Sequence, residues 1–238
     1  MNVLAFDTSL GACSVAVQWQ SARGESLLRE DYEERDTGHA EALLPMISMV
    51  MDGAGLSFSA LDRIAVTEGP GSFTGVRIGL AAARGLALAA GKPLVSAGTL
   101  LVMAHRAHLL LANERLQVRR EGAILAVVVD ARKGQLYVQL FGENAGDPLS
   151  TPMLTDADGA AGLLGGRPAI AVGTGAETLA AASSASGLMN VRLPRLQPHA
   201  RQLAALAPAL APVQNAEPVY LRAPDAKPQD SKSVPVAE

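Results

Sequence analysis

Short apolar runs along this chain alternate with polar turns, and longer segments repeat their apolar residues at helical spacing. Residues 3–6 are continuously apolar and end at Asp7-Thr8-Ser9. Gly11 then permits a turn, and residues 13–19 alternate. Alternation with a turn before it predicts a hairpin, joined by a third strand near residues 26–32. A helix follows over residues 39–51, a strand over 63–67, a helix over 72–90, a strand over 93–96 and a helix over 99–111. The polar stretch 113–122 reads as a boundary. Beyond it, residues 123–129 form a second apolar run that ends on an acid, Asp130, and Lys133-Gly134 turns the chain into an alternating strand over 135–141. A strand at 169–172 precedes Gly173-Thr174-Gly175 and a small-residue helix to about residue 186; a last helix over 199–207 stops at Pro208. Each half opens alike, as buried strand, terminal Asp, turn and second strand. Mixed strands and helices make the fold class α/β. The repeated opening predicts two lobes, 1–112 and 113–222, with a late helix returning to the first. The Pro-, Lys- and Ser-rich residues 223–238 are expected to be a disordered tail.

Two helices carry more apolar surface than one core needs. Ala42, Leu43, Leu44, Met46, Ile47, Met49, Val50 and Met51 spread over about 200°, whereas a helix on a single core needs a stripe of about 100°. Pro45 inside this helix predicts a kink. In the next helix Gly75, Gly79, Ala83 and Ala87 recur every fourth residue, a stripe that lets another helix approach closely. Burial within the chain and a partner's helix both answer the excess. The partner reading predicts an interface of Ala42, Leu43, Met46, Ile47, Met49, Val50, Gly75, Val76, Gly79, Ala83 and Ala87, in which the methionines supply adaptable contact.

Composition narrows the chemistry. The 238 residues are 49% hydrophobic and carry a net charge of −3, with aromatics at 3%. No strongly basic face and few stacking platforms argue against a chain that grips RNA alone. The single Cys13 excludes an intramolecular disulfide and a cysteine-cluster metal site. MNVLAFDTSLG lacks the basic and apolar regions of a secretory leader, and no run approaches the ~20 apolar residues of a span, so a soluble cytoplasmic protein is expected.

The candidate chemistry is local. Asp7-Thr8-Ser9 and Asp130 at strand ends read either as turn residues capping their own backbone or as phosphate-facing groups. The loop TEGPGSFTG opens a helix, but Gly71 to Gly75 has the wrong spacing for a P-loop, and Val76-Arg77 stands where Lys-Ser/Thr belongs. Ser72 serves as the helix N-cap instead. His105 and His108 lack the i, i+4 spacing and the carboxylate of a metal site, and read as solvated or capping groups. Arg115, Arg119, Arg120, Arg132 and Lys133 form a local basic cluster. No G-x-S-x-G elbow is present.

The strings FDTSLGACSVAV, HAEALLPMI, TEGPGSFTGVRIGLAAARGLALAAGKPLVSAGTL, VVDARKGQLYVQLF and PVYLRAP resemble the bacterial TsaB (YeaZ) family of threonylcarbamoyladenosine biosynthesis proteins. The resemblance covers most of residues 1–223 and is least diagnostic around 143–200. It implies a two-lobed actin-like, Hsp70-like ATPase fold of the ASKHA class. The turns at Asp7, Thr8 and Ser9 and at Asp130 would match phosphate-facing turns, and Gly173 and Gly175 the adenosine-side turn, as a vestigial nucleotide site. The implied role is a subunit acting with TsaD and the ATPase TsaE to place threonylcarbamoyl on the tRNA adenosine beside the anticodon. TsaD-like proteins carry an N-H-x-x-x-H string after their G-K-P; here Thr99 and Met103 stand at those positions, and neither replaces an imidazole on a metal. The resemblance therefore implies no cofactor on this chain, ATP and metal on its partners, a heterodimer with TsaD, tRNA met only through the complex, no membrane, and a homodimer when alone. A stand-alone phosphotransferase of the same fold and a metalloprotease are the alternatives.

Overall fold

The computed structural model describes residues 1–113, 123–142, 146–183 and 188–222. The polar boundary, Arg115, Arg119, Arg120 and the tail from 223 lie outside the described residues.

The first sheet collects β1 (Val3–Asp7), β2 (Ala12–Gln20), β3 (Ser26–Glu34), β4 (Arg63–Thr67) and β5 (Leu94–Ala97) in the order β3-β2-β1-β4-β5. β1 pairs antiparallel with β2, in the register Asp7 to Ser14, and parallel with β4. β1 has all five residues buried, which is why it reads as a continuous apolar run and not as an alternation. Helices α1 (His39–Ala54) and α2 (Phe73–Ala90) cover one face of the sheet. α3 (Thr99–Asn113) follows β5.

The second sheet repeats the plan. It is built from β6 (Ile124–Asp130), β7 (Gln135–Phe141), β8 (Met153–Asp156), β9 (Ala169–Val172) and β10 (Met189–Val191), ordered β10-β9-β6-β7-β8. β6 is antiparallel to β7 and parallel to β9, as β1 is to β2 and β4. Helices α4 (Ala157–Leu164) and α5 (Ala176–Ala182) occupy the places of α1 and α2, and α6 (Ala200–Leu206) that of α3.

The third helix of each set crosses over. α3 places Leu100, Met103, Ala104 and Ala107 against Leu125, Val127, Val129 and Phe141 of the second sheet. α6 places Ala200, Leu203 and Ala204 against Val3, Ala5 and Ala16 of the first. Each sheet is thus sandwiched between its own helices and one from the other half, and the two halves share their cores.

Three elements escape the sequence pattern. β8 and β10 are short and only half-buried, and α4 contains two glycines, so neither periodicity nor propensity marks them. A cap does mark α4: Asp156 Oδ1 accepts from the Gly159 amide at 2.8 Å. α1 runs unbroken across Pro45, which lacks the N–H that would bond the Glu41 carbonyl. α2, at 18 residues and mean hydropathy 1.3, is long and apolar enough to cross a membrane by length and composition alone. Its buried side is committed instead to β1 and β4.

Candidate functional site

The glycine loop is plugged by the chain's own first turn. Ser72 caps α2: its amide donates to the Ser9 carbonyl at 2.8 Å, and its Oγ accepts from the Gly75 amide at 2.9 Å. Thr8 Oγ1 donates to the Gly75 carbonyl at 2.7 Å. A Cβ on Gly71 would collide with the Ser9 carbonyl oxygen, and one on Gly75 with that of Thr8. At Gly79 a Cβ would lie 2.8 Å from Thr8 Oγ1 and 3.3 Å from a Val66 methyl. The small-residue stripe is therefore what lets α2 sit directly on the β1–β2 turn. This corrects the partner-facing assignment of Gly75 and Gly79.

Asp7, Thr8 and Ser9 are buried to 1% exposure or less. The Asp7 carboxylate accepts from Ser9 Oγ at 2.7 Å, from the Ser9 amide at 3.3 Å and from Thr67 Oγ1. Burial pushes its pKa above the usual carboxylate range, against the lowering effect of these donors. Asp130 is exposed; its Oδ1 accepts from the Arg132 amide at 2.7 Å and shapes its own turn. A Cβ on Gly173 would strike the Val128 carbonyl oxygen, and one on Gly175 would come within 2.8 Å of Leu136 and Val128, so both glycines serve packing. The side chains of the first turn are thus engaged inside the chain, whereas the Asp130 side chain of the second turn is exposed. Of the residues expected to form a nucleotide site, Asp130 is joined to the Gly173-Thr174-Gly175 turn, its amide donating to Thr174 Oγ1 at 3.0 Å, while the side chains of Asp7, Thr8 and Ser9 bond within the first half. Thr99 Oγ1 donates to Ser9 Oγ at 3.1 Å, and Met103 packs its methyl near Gly173, so both positions serve the interior.

The interface residues divide by face. Leu43, Met46, Ile47 and Val50 of α1 and Val76, Ala83 and Ala87 of α2 join Gly75 and Gly79 in the chain's own core, and Ala42 is half-buried against it. Of the expected set only Met49 stands open, at 52%. What the two helices leave uncovered is the opposite side. Leu88 is 85% exposed, Phe73 61% and Leu44 54%, and Ala81, Gly85 and Ala89 lie exposed on α2. Ala81, Gly85 and Leu88 follow at i, i+4 and i+7, one face of a helix. Space around the Gly85 Cβ position is open. Sequence reasoning missed this face because the regular stripe drew attention to the inner side; the signal was the leucines opposite it.

A family model described as TsaD: tRNA N6-adenosine threonylcarbamoyltransferase matches residues 33–195. The chain belongs to the TsaD family. Within that family the longer matches are to TsaB and YeaZ proteins, and a shorter one, 53% identical over 58 residues, is to the tRNA N6-adenosine threonylcarbamoyltransferase of Erythrobacter litoralis. The tRNA threonylcarbamoyladenosine biosynthesis protein TsaB of Escherichia coli is 36% identical over 138 residues, which are 58% of this chain and 53% of that protein. TsaB of Haemophilus influenzae is also 36% identical, over 58% of this chain and 52% of its own length. The chain thus spans about half the length of the curated relatives it matches. The solved structure of YeaZ from Pseudomonas aeruginosa is 29% identical, with a TM-score of 0.72 covering 92% of this chain and 99% of that one. With two matched five-stranded sheets, this TsaD-family chain has the two-lobed actin-like fold.

Proposed function

We propose that this chain is a non-catalytic subunit of the assembly that adds threonylcarbamoyl to the tRNA adenosine beside the anticodon, and that it acts by binding TsaD. The observation that carries the reading is the contrast across α2: the inner side is sealed on a plugged turn, and the outer side is apolar and open. The names of the relatives support the pathway. In this reading the outer face of α1 and α2 docks on TsaD, or on a second copy when TsaD is absent. ATP and metal reside on TsaD and TsaE, tRNA is met through the complex, and the site of action is the cytoplasm. Covering Leu88 would contribute about 1.5–3 kcal/mol, and covering the half-exposed Leu44 roughly half as much.

The test is sedimentation of the chain mixed with TsaD, with tRNA modification measured in a reconstituted system. Gly85→Trp or Leu88→Glu is expected to abolish the complex and the modification together, with the fold unchanged, because both positions face solvent. Unchanged association in both variants would sink the assigned surface. Micromolar binding of ATP by the isolated chain in calorimetry would instead favour a phosphotransferase.

A further inference from the structure

At the N-terminal end of the outer face of α2, one arginine is held in a set orientation. The Arg77 guanidinium carbon lies 3.5 Å from the Phe73 ring centroid and 5.5 Å from that of Tyr220. Arg77 Nε donates to Tyr220 Oη at 2.7 Å, and the two rings are 6.0 Å apart. Tyr220 comes from the extended segment 213–222, which is itself anchored at several points. Val213 bridges β5 at Leu94, Arg84 donates to the Ala216 carbonyl, and the Val219 amide donates to the Glu68 carbonyl at 2.7 Å. Two residues beyond Tyr220, Arg222 bonds the Ala131 carbonyl at 2.9 Å and Gln135 Oε1 at 2.8 Å in the second half.

The arrangement is costly to leave idle. Phe73 and Tyr220 are two of only eight aromatic residues in the chain, four Phe, three Tyr and one Trp, and both are at least half exposed. Among the described residues no carboxylate pairs with Arg77. A guanidinium lying on one ring, with Nε pinned by a phenol, has already lost the rotamer freedom that binding would remove. Its remaining donors form the planar fork that suits a carboxylate. Stacked Arg and aromatic groups are also the composition of protein–protein hot spots.

We propose that Arg77 is the charged anchor of the docking surface and receives an aspartate or glutamate from the protein seated on the outer face of α1 and α2. The inference rests on the docking reading above and adds the chemistry of its partner. Two observations favour a protein carboxylate over a nucleic-acid phosphate. Arg77 lies on the same side of α2 as the apolar residues Ala81 and Leu88, so one helix laid along α2 would meet both. The chain's net charge of −3 supplies no field to hold a polyanion.

The experiment measures affinity of the full chain for TsaD by calorimetry at low and at high potassium chloride. Arg77→Ala is expected to weaken binding about 30-fold and to flatten its salt dependence. Arg77→Lys loses nearly as much, because an ammonium provides no planar fork. Tyr220→Phe, which removes only the pin on Nε, costs about 3-fold. Both sites are exposed, so melting temperatures of all three variants should match the unaltered chain. If Arg77→Ala binds TsaD normally while Gly85→Trp does not, the anchor is refuted and the surface stands. If neither variant matters, the surface itself is refuted. An Arg77→Ala effect confined to tRNA binding, or to self-association of the chain, would likewise overturn the assignment in favour of a phosphate or of a second copy.

Discussion

The two sheets share one strand order, yet the helices that cover them differ about twofold in length. α1 and α2 run for 16 and 18 residues; their counterparts α4 and α5 run for 8 and 7. The strands beneath them differ in the same sense: β2 and β3 have nine residues each, against seven and four in β7 and β8. The later turns of the longer α2 bury Ala83 and Ala87 in the first core, and on their other side carry Leu88 and the open segment around Gly85. The same contrast appears at the turns. The β1–β2 turn is sealed under the start of α2, while the β6–β7 turn faces solvent, with Arg132 and Lys133 at φ of 62° and 54°. One architectural plan has thus been sealed on one side and left open on the other, and the sealed half is the one with helix surface to spare.

The largest expected effect breaks the seal. Gly75→Leu forces a side chain into the Thr8 carbonyl, and overpacking against backbone should cost about 3 kcal/mol or more, enough to unfold a marginal domain. Gly85→Ala, on the other side of the same helix, meets open space and should add about 1 kcal/mol of stability through helix propensity. Chemical denaturation of both variants decides the matter. Equal stabilities would show that α2 does not rest on the turn as described.

How much of this was legible beforehand follows from which physical signal each feature leaves. β4, β7 and β9 match their predicted bounds because burial on a sheet writes itself as apolar runs or alternation. Asp7 and Asp130 mark equivalent strand ends, and the pseudo-repeat could be read from them. Their environments could not, since one is sealed by a helix far along the chain and the other is not. The small-residue stripe was visible, but close approach to a partner helix and close approach to a strand turn demand the same residues. The Phe73–Arg77–Tyr220 stack joins residues 143 positions apart in sequence and leaves no local pattern.

A smaller effect tests the crossed-over helix α6. His199 caps it, with Nδ1 accepting from the Arg201 amide at 3.1 Å, and its ring stacks on Tyr32 at 4.9 Å. Burial, together with Arg106 and Arg201, pushes its pKa down to about 4 against the opposing pull of Glu30. The folded chain therefore binds fewer protons than the unfolded chain between pH 4 and the ordinary histidine value of 6.5. Stability from this group is full above that value and is lost as pH falls toward 4, by on the order of 3 kcal/mol. His199→Asn keeps a capping acceptor and removes the titration. Thermal melts from neutral to acid pH should therefore decline less steeply in the variant, and an unchanged decline would show that α6 does not hold His199 neutral.

The smallest effects compare the two equivalent acids. Asp7 has its pKa raised by burial, so its sign is opposite to that of His199. The folded chain holds the Asp7 proton to higher pH than the unfolded chain, and ionisation costs stability as pH rises through the native value. Asp7→Asn removes that cost, so the variant's stability relative to the unaltered chain should climb with pH across this range. Asp130 is exposed and bonds the Arg132 amide through one oxygen that asparagine also provides. Asp130→Asn should therefore stay within about 0.5 kcal/mol of the unaltered chain. A relative stability of Asp7→Asn that stays flat with pH, or a large loss of stability in Asp130→Asn, would mean that the sealed and open turns have been assigned to the wrong halves. The expected pattern would show that, of two aspartates at equivalent strand ends, one is an internal fastener and the other only a turn residue.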